Sequence, residues 1–222
     1  VIRNGTSIGS NDIPADMSGP ANALDGILIS HGHFDHYSGL LAVLEFLQLI
    51  GRRRPLPVIY PEGSGAVEDI VDHFSIHLWE VQMFDVDLIP INEVSGLDVS
   101  GTMVDSIYAE HRHSGPGRIG PGIPSLSYRL ERGGEVISYS GDTSSIDVLE
   151  DLVKDSDLAL IEATYPSNSK DAGGVHLNTD QAVRIGSKAK EYMLFHFTAS
   201  SFEELGKRGI SLLGPGDVNS EN

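Results

Sequence analysis

The sequence predicts an α/β fold, because short apolar segments of strand length alternate with longer segments of helical character. Residues 26–30 and 158–161 have the length and composition of buried strands, and residues 37–47 form an apolar run of helical length. A chain of 222 residues with 40% hydrophobic residues can bury the core of one compact domain. We therefore expect a single domain over residues 1–222, with a disordered tail from about residue 210.

The other elements follow from the same patterns. Strands are expected at residues 57–60, 86–90, 103–110, 126–131 and 135–140, and helices at 65–74 and 144–152. Arg132-Gly133-Gly134 predicts a hairpin turn between two of these strands. Asn178 or Thr179 is the expected cap of a helix that runs to about residue 190. Ser200 or Ser201 is the expected cap of a last helix that ends near residue 209.

Ligand-type side chains are concentrated between the strand at 26–30 and the helix at 37–47, in the sequence His31-Gly32-His33-Phe34-Asp35-His36. Imidazole and carboxylate groups are the ligands that hold Zn²⁺, Mn²⁺ or Fe²⁺ in proteins. His31 and His33 project to the same side of an extended segment, because side chains on a strand alternate with a period of two. Asp35 and His36 fall where the helix begins. The pattern predicts a metal site at this turn.

Composition excludes several classes of function. The chain has no cysteine, which excludes disulfides and thiolate ligands. Its net charge of −17 repels polyanions and makes large nucleic acids poor partners. There is no apolar run near the ~20 residues that span a bilayer, and no visible signal peptide. We therefore expect a cytoplasmic protein that does not interact with membranes.

The signature resembles the HxHxDH motif of the metallo-β-lactamase superfamily, and further ligand-type residues follow in that family's order. His113 comes after the strand-like segment 104–109, Asp142 follows Ser140-Gly141, and His196 ends the apolar run 192–195. The resemblance runs from about residue 25 to about residue 202. It implies the four-layer αββα sandwich of that family. Only about 30 residues precede the signature, so the N-terminal sheet is expected to be reduced or truncated.

The resemblance also implies two divalent metal ions, with zinc expected and manganese or iron as alternatives. It assigns His31, His33 and His113 to one ion, Asp35, His36 and His196 to the other, and Asp142 to a bridging position. His111 is an alternative to His113. We prefer His113 because it directly precedes the Ser-Gly-Pro-Gly loop, as the third motif of the family does.

A second group of motifs resembles the ribonuclease Z branch of the superfamily. Glu162-Ala163-Thr164 follows a strand, His176 precedes the head of the next helix, and His196 begins a His-Phe-Thr sequence. This resemblance implies phosphodiester hydrolysis. Glu162 would orient His176, which would donate a proton or hold a phosphate oxygen. With Asp35, these two residues form the predicted catalytic set.

The sequence departs from tRNA-processing ribonuclease Z between His113 and Asp142. That interval holds a Gly/Pro-rich loop at 114–124 and a short hairpin, and no basic insertion that could form a tRNA-binding arm. We therefore expect a small phosphodiester or nucleotide as substrate, and the family resemblance implies a homodimer. The alternatives are an armless ribonuclease Z-like nuclease for RNA 3′ ends, a lactonase or thioesterase, and a metal-binding scaffold without activity. The loop is either a lid that brings Arg118 to a phosphate or an ordinary surface loop.

Overall fold

The structure, a computed structural model, describes residues 22–78, 80–115, 118–169, 174–210 and 212. The chain divides into two compact units, Val1–Ile91 and Asn92–Asn222. The expected single domain over residues 1–222 stays a prediction, and the expected tail lies almost entirely outside the described residues. Among the described residues, no helix is long and apolar enough to cross a membrane.

The first unit is built on a three-stranded parallel sheet in the order β1-β2-β3. Its elements are β1 (Ile27–Leu28), α1 (Phe34–Tyr37), α2 (Gly39–Leu49), β2 (Leu56–Pro61), α3 (Gly65–Leu78) and β3 (Val86–Ile91). Helix α2 buries Leu40, Leu44 and Leu47, which lie on one face at helical spacing and join a cluster with the strand residue Val58. This core fixes the carboxyl end of β1, from which the ligand-rich turn continues.

The second unit is built on a six-stranded mixed sheet in the order β11-β10-β9-β8-β5-β4 and a separate two-stranded sheet of β6 and β7. Its strands are β4 (Val94–Val99), β5 (Thr102–Tyr108), β6 (Arg112–Gly115), β7 (Arg118–Gly122), β8 (Leu126–Arg132), β9 (Glu135–Tyr139), β10 (Leu158–Glu162) and β11 (Glu191–Phe195). Its helices are α4 (Asp147–Val153), α5 (Thr179–Gly186) and α6 (Ala199–Lys207). Strands β9, β10 and β11 are parallel, so their carboxyl ends lie at one edge of the sheet.

Local sequence explains several boundaries in the second unit. Gly133 and Gly134 both have positive φ, at 62° and 85°, and join β8 to β9 in the turn geometry that suits a two-residue hairpin. Asn178 caps α5 and forms a reciprocal capping box with Gln181. The Asn178 alternative for this cap is therefore confirmed.

Other elements differ from the expectations. The segment 114–124 is predicted to be a loop, but its described residues include strand β7 and the end of β6, which pair antiparallel. Helix α6 is capped by Thr198 and not by Ser200 or Ser201. Ser201 is buried and donates its hydroxyl to the Thr164 carbonyl, while its backbone N–H donates to Thr198 Oγ1. The α/β class itself is confirmed.

Candidate metal centre

Two histidines of the turn after β1 already have the spacing of ligands to one ion. His31 is fully buried, and Ser30 Oγ lies 3.1 Å from its Nδ1. Its Nε2 lies 3.1 Å from Nδ1 of His33. Tetrahedral zinc with Zn–N bonds of about 2.0–2.1 Å separates its ligand nitrogens by roughly 3.3 Å. The pair therefore fits a shared metal ion with little rearrangement.

The other two ligand-type residues of the turn lie on α1. His36 Nε2 is 3.4 Å from Asp35 Oδ2, and the His36 ring centroid is 4.1 Å from that of His31. The Asp35 side chain is largely exposed, so its carboxylate is accessible to an ion. His31, His33, Asp35 and His36 form what we call the N-terminal cluster.

Asp142 is the centre of a second group of ligand-type residues, in the second unit. It follows β9 and Gly141, whose φ of +57° turns the chain in a way that favours glycine. The Asp142 side chain is 2% exposed, and its Oδ2 lies 3.4 Å from His196 Nε2 and 3.9 Å from His111 Nε2. A buried carboxylate facing imidazole nitrogens is costly unless a cation balances its charge, which fits a metal ligand.

His111, and not His113, lies beside Asp142. His111 is buried, and its Nδ1 donates to the Val175 carbonyl over 2.9 Å, so that Nε2 carries the lone pair on the side of Asp142. His113 is exposed on β6, opposite Gly120 of β7. The sequence-based preference for His113 is therefore not supported by proximity to Asp142, because residue 113 already belongs to strand β6. Which of the two histidines binds a metal ion stays a prediction, with His111 the better candidate. The position of His111 just before the hairpin is the signal that could have identified it.

His196 adopts an unusual backbone conformation at the end of β11. Its φ of +58° is in the left-handed region, which costs a non-glycine residue of order 1–3 kcal/mol. Such a conformation is retained where the surrounding structure requires it, commonly at functional sites. The residue presents Nε2 to Asp142, while its Nδ1 lies 2.6 Å from Thr164 Oγ1.

Glu162, at the end of β10, is fully buried and accepts hydrogen bonds at both carboxylate oxygens. Its Oε1 accepts from the backbone N–H groups of Thr143 and Leu177 and lies 3.0 Å from His176 Nδ1. Its Oε2 accepts from the backbone N–H and the hydroxyl of Thr164. Both carboxylate oxygens therefore act as acceptors. The donors also occupy both carboxylate oxygens. Glu162 therefore suits the role of orienting its neighbours better than the role of a metal ligand.

His176 is held by Glu162 and lies between the two histidines that face Asp142. Its ring stacks on that of His196 with centroids 5.2 Å apart, and lies 4.9 Å from that of His111. His111 and His196 present Nε2 to Asp142, whereas the His176 nitrogen nearest Asp142 is Nδ1, at 3.8 Å. Because that nitrogen donates to Glu162, it cannot also bind a metal. His111, Asp142, Glu162, His176 and His196 form what we call the C-terminal cluster.

Comparison with known proteins decides the family. A model described as the Beta-lactamase superfamily domain matches residues 11–197. The chain belongs to this superfamily and has the metallo-β-lactamase fold. Ribonuclease Z from Pyrococcus furiosus is 26% identical, and the match covers 77% of this chain and 68% of that protein. The crystal structure of human tRNase Z, short form, has a TM-score of 0.64 at 21% identity and covers 88% of this chain and 78% of its own. The metallo-β-lactamase fold protein YhfI from Bacillus subtilis has a TM-score of 0.61 at 18% identity, with 88% and 76% covered.

As a member of the metallo-β-lactamase superfamily, the chain is a metal-dependent hydrolase with ribonuclease Z among its relatives. The fold implies divalent metal ions, and the donor chemistry of each cluster fits them. The structure brings His31, His33, Asp35 and His36 together in the first unit. It brings Asp142, Glu162, His176 and His196 together in the second, and adds His111, while His113 lies outside that cluster. The link from Thr164 to His196 could not be predicted from the sequence, because the two residues are 32 positions apart.

Proposed function

We propose that this protein is a phosphodiesterase with a dinuclear metal centre, acting on a small phosphodiester or nucleotide. The observation that carries the proposal is the buried Glu162–His176 pair beside Asp142. Phosphodiester hydrolysis needs a nucleophile, neutralisation of phosphoryl charge and a proton for the leaving oxygen. The Glu162–His176 pair would supply the proton for the leaving oxygen.

The proposed ligand set takes its pairing from the order of the motifs along the chain. His31, His33 and His111 would hold one ion, Asp35, His36 and His196 the other, and the carboxylate of Asp142 would bridge them. Two divalent ions bound there would supply Lewis-acid stabilisation of phosphoryl oxygens and a water nucleophile at neutral pH. We expect zinc, with manganese or iron as alternatives, because the donors are only imidazole and carboxylate.

His176 would act on the substrate through Nε2, because Nδ1 is committed to Glu162. The Glu162 carboxylate holds the ring in one orientation and stabilises a positive charge on it, as a carboxylate does for a catalytic histidine in other hydrolases. A proton held at Nε2 could pass to the leaving alkoxide or form a hydrogen bond to a phosphate oxygen. A lactone or thioester requires less assistance of this kind, so the pair favours a phosphodiester.

A second candidate is an armless ribonuclease acting on RNA 3′ ends, and the similarity to ribonuclease Z favours it. Two features favour the small substrate. The chain between His111 and Asp142 forms the short β6–β7 hairpin and the strands β8 and β9, with no long insertion. The net charge of −17 also opposes the approach of a polyanion.

A hydrolysis screen tests the proposal. Purified protein with Zn²⁺ or Mn²⁺ is given bis-p-nitrophenyl phosphate, cyclic nucleotides, a lactone, a thioester and a precursor tRNA. We expect turnover of the first two classes, and Asp142→Asn as a matched control should abolish it. Efficient turnover of a lactone or thioester with no phosphodiester hydrolysis would refute the proposal. Specific cleavage of the tRNA with small substrates untouched would select the ribonuclease.

A further inference from the structure

Thr164 connects the carboxylate of Glu162 to the ring of His196. Its Oγ1 lies 2.6 Å from Glu162 Oε2 and 2.6 Å from His196 Nδ1. A hydroxyl has one proton to donate, and the carboxylate oxygen Oε2 of Glu162 accepts it. The Thr164 proton is therefore directed to Glu162, and Thr164 Oγ1 accepts the Nδ1–H of His196.

This order of donors determines the tautomer of His196. With the proton at Nδ1, the lone pair is at Nε2, which is the nitrogen that lies 3.4 Å from Asp142 Oδ2. His111 reaches the same state by donating Nδ1–H to the Val175 carbonyl. A histidine without such a partner can adopt either neutral tautomer. The Nδ1–H tautomer of His196 therefore depends on Thr164. Partners that fix the ring and tautomer of a ligand histidine typically change metal affinity by about 10–100-fold when removed.

We propose that Thr164 is a positioning residue that fixes His196 in the Nδ1–H tautomer, so that its Nε2 binds the metal. Through Thr164 and His176, one buried carboxylate then orients a metal ligand and a substrate-facing histidine together. The proposal rests on the proposed function only for the assignment of His196 as a ligand. It does not depend on which substrate is hydrolysed.

Two variants separate the hydroxyl from the volume of the side chain. Thr164→Val removes the hydroxyl and keeps the shape, whereas Thr164→Ser keeps the hydroxyl. The backbone N–H of Thr164, which also donates to Glu162, is present in both. Thr198→Val is the matched control, because it removes the hydroxyl that caps α6 two residues after His196. It should lower stability without affecting the His196 ring.

The first measurement is the tautomer of His196 in metal-free protein, read from long-range ¹H–¹⁵N correlations of the histidine side chains. The second is the Zn²⁺ dissociation constant, from competition with a chelator. Wild type, Thr164→Ser and Thr198→Val should show the Nδ1–H tautomer of His196. Thr164→Val should lose that preference and bind Zn²⁺ about 10–100-fold more weakly.

An unchanged tautomer in Thr164→Val, or an unchanged Zn²⁺ affinity, would overturn the proposal. So would a Thr164→Ser variant as impaired as Thr164→Val. If Thr164→Val does not fold, Thr164→Ala compared with Thr164→Ser gives the same contrast. Neither measurement involves turnover, so a protein that proves to hydrolyse a lactone leaves this test valid.

Discussion

His176 Nδ1 lies 3.0 Å from Glu162 Oε1, and the same carboxylate also reaches Thr164. The contact assigns the two nitrogens of His176 to different roles. Nδ1 contacts Glu162 and holds the orientation of the ring, which leaves Nε2 for the substrate-facing role that we propose. This division distinguishes His176 from His111 and His196, whose Nε2 atoms lie nearest Asp142.

Replacement of His176 should impair turnover without releasing metal. General acid catalysis typically contributes about 10²–10⁴-fold, so His176→Ala should lower kcat by roughly that factor for an alkyl phosphodiester. The loss should be smaller for bis-p-nitrophenyl phosphate, because p-nitrophenolate leaves without a proton. Steady-state kinetics on both substrates and metal analysis check this. Equal losses on the two substrates would instead indicate phosphate binding, and a lost metal ion would make His176 a ligand.

Separate replacement of His111 and His113 tests which of the two histidines is a metal ligand. His111→Ala should lower bound metal below that of wild type, which we expect to approach two equivalents per chain, because the buried ring faces Asp142. His113→Ala should leave metal content unchanged, because its side chain lies on an exposed strand. Elemental analysis of both variants after zinc reconstitution and desalting measures this. The reverse result would restore His113 as the ligand.

Loss of the Asp142 carboxylate should have a larger effect than loss of any one histidine. Asp142→Ala should reduce bound metal toward zero, because the proposed bridge would be removed from both ions. His33→Ala, which removes one terminal ligand, is the comparison. A titration of each variant with metal ions, monitored by calorimetry, distinguishes the two variants. If Asp142→Ala still binds one ion tightly, the bridging role is incorrect.

The left-handed conformation of His196 should appear as a stability difference in metal-free protein. A glycine tolerates a φ of +58° without the steric cost that a Cβ atom imposes. We expect His196→Gly to be more stable than His196→Ala by about 1 kcal/mol, measured by chemical denaturation. The control pair is Glu191→Gly and Glu191→Ala at the start of β11, where glycine should be the less stable of the two. The same sign at both positions would contradict the argument.

An exposed ion pair in the second unit should give a pH-dependent contribution to stability. Lys190 Nζ and, to a lesser degree, the backbone N–H of Val136 lower the pKa of the Asp157 carboxyl below its usual range. This contribution is present above the unfolded-state pKa of about 4 and is lost as pH falls through the folded-state pKa. Asp157→Asn should therefore be less stable than wild type at pH 7.

The stability difference between wild type and Asp157→Asn should shrink as the pH is lowered toward 3. Denaturation curves between pH 3 and 7 measure it. The control is Asp151→Asn, which removes an exposed carboxylate from α4. A difference that does not change with pH would show that the Asp157 charge contributes nothing.

The sequence by itself determined the α/β class, the family and most of the ligand-type residues that form the two clusters. These follow from local information. The alternation of strand and helix patterns is visible in short windows, and His31, His33, Asp35 and His36 are adjacent in the chain. Asn178 with Gln181 and the paired Gly133 and Gly134 are also local signals, because caps and tight turns are formed by residues a few positions apart.

Only the tertiary structure decided which nitrogen faces which oxygen. His111 and His113 are two residues apart and chemically identical. The choice between them depends on where the β6–β7 hairpin begins and on the Val175 carbonyl, which is distant in sequence. The Thr164 link to His196 depends on β10 and β11 lying side by side in parallel register. Pairing between strands sets these distances, and local propensity carries no information about them.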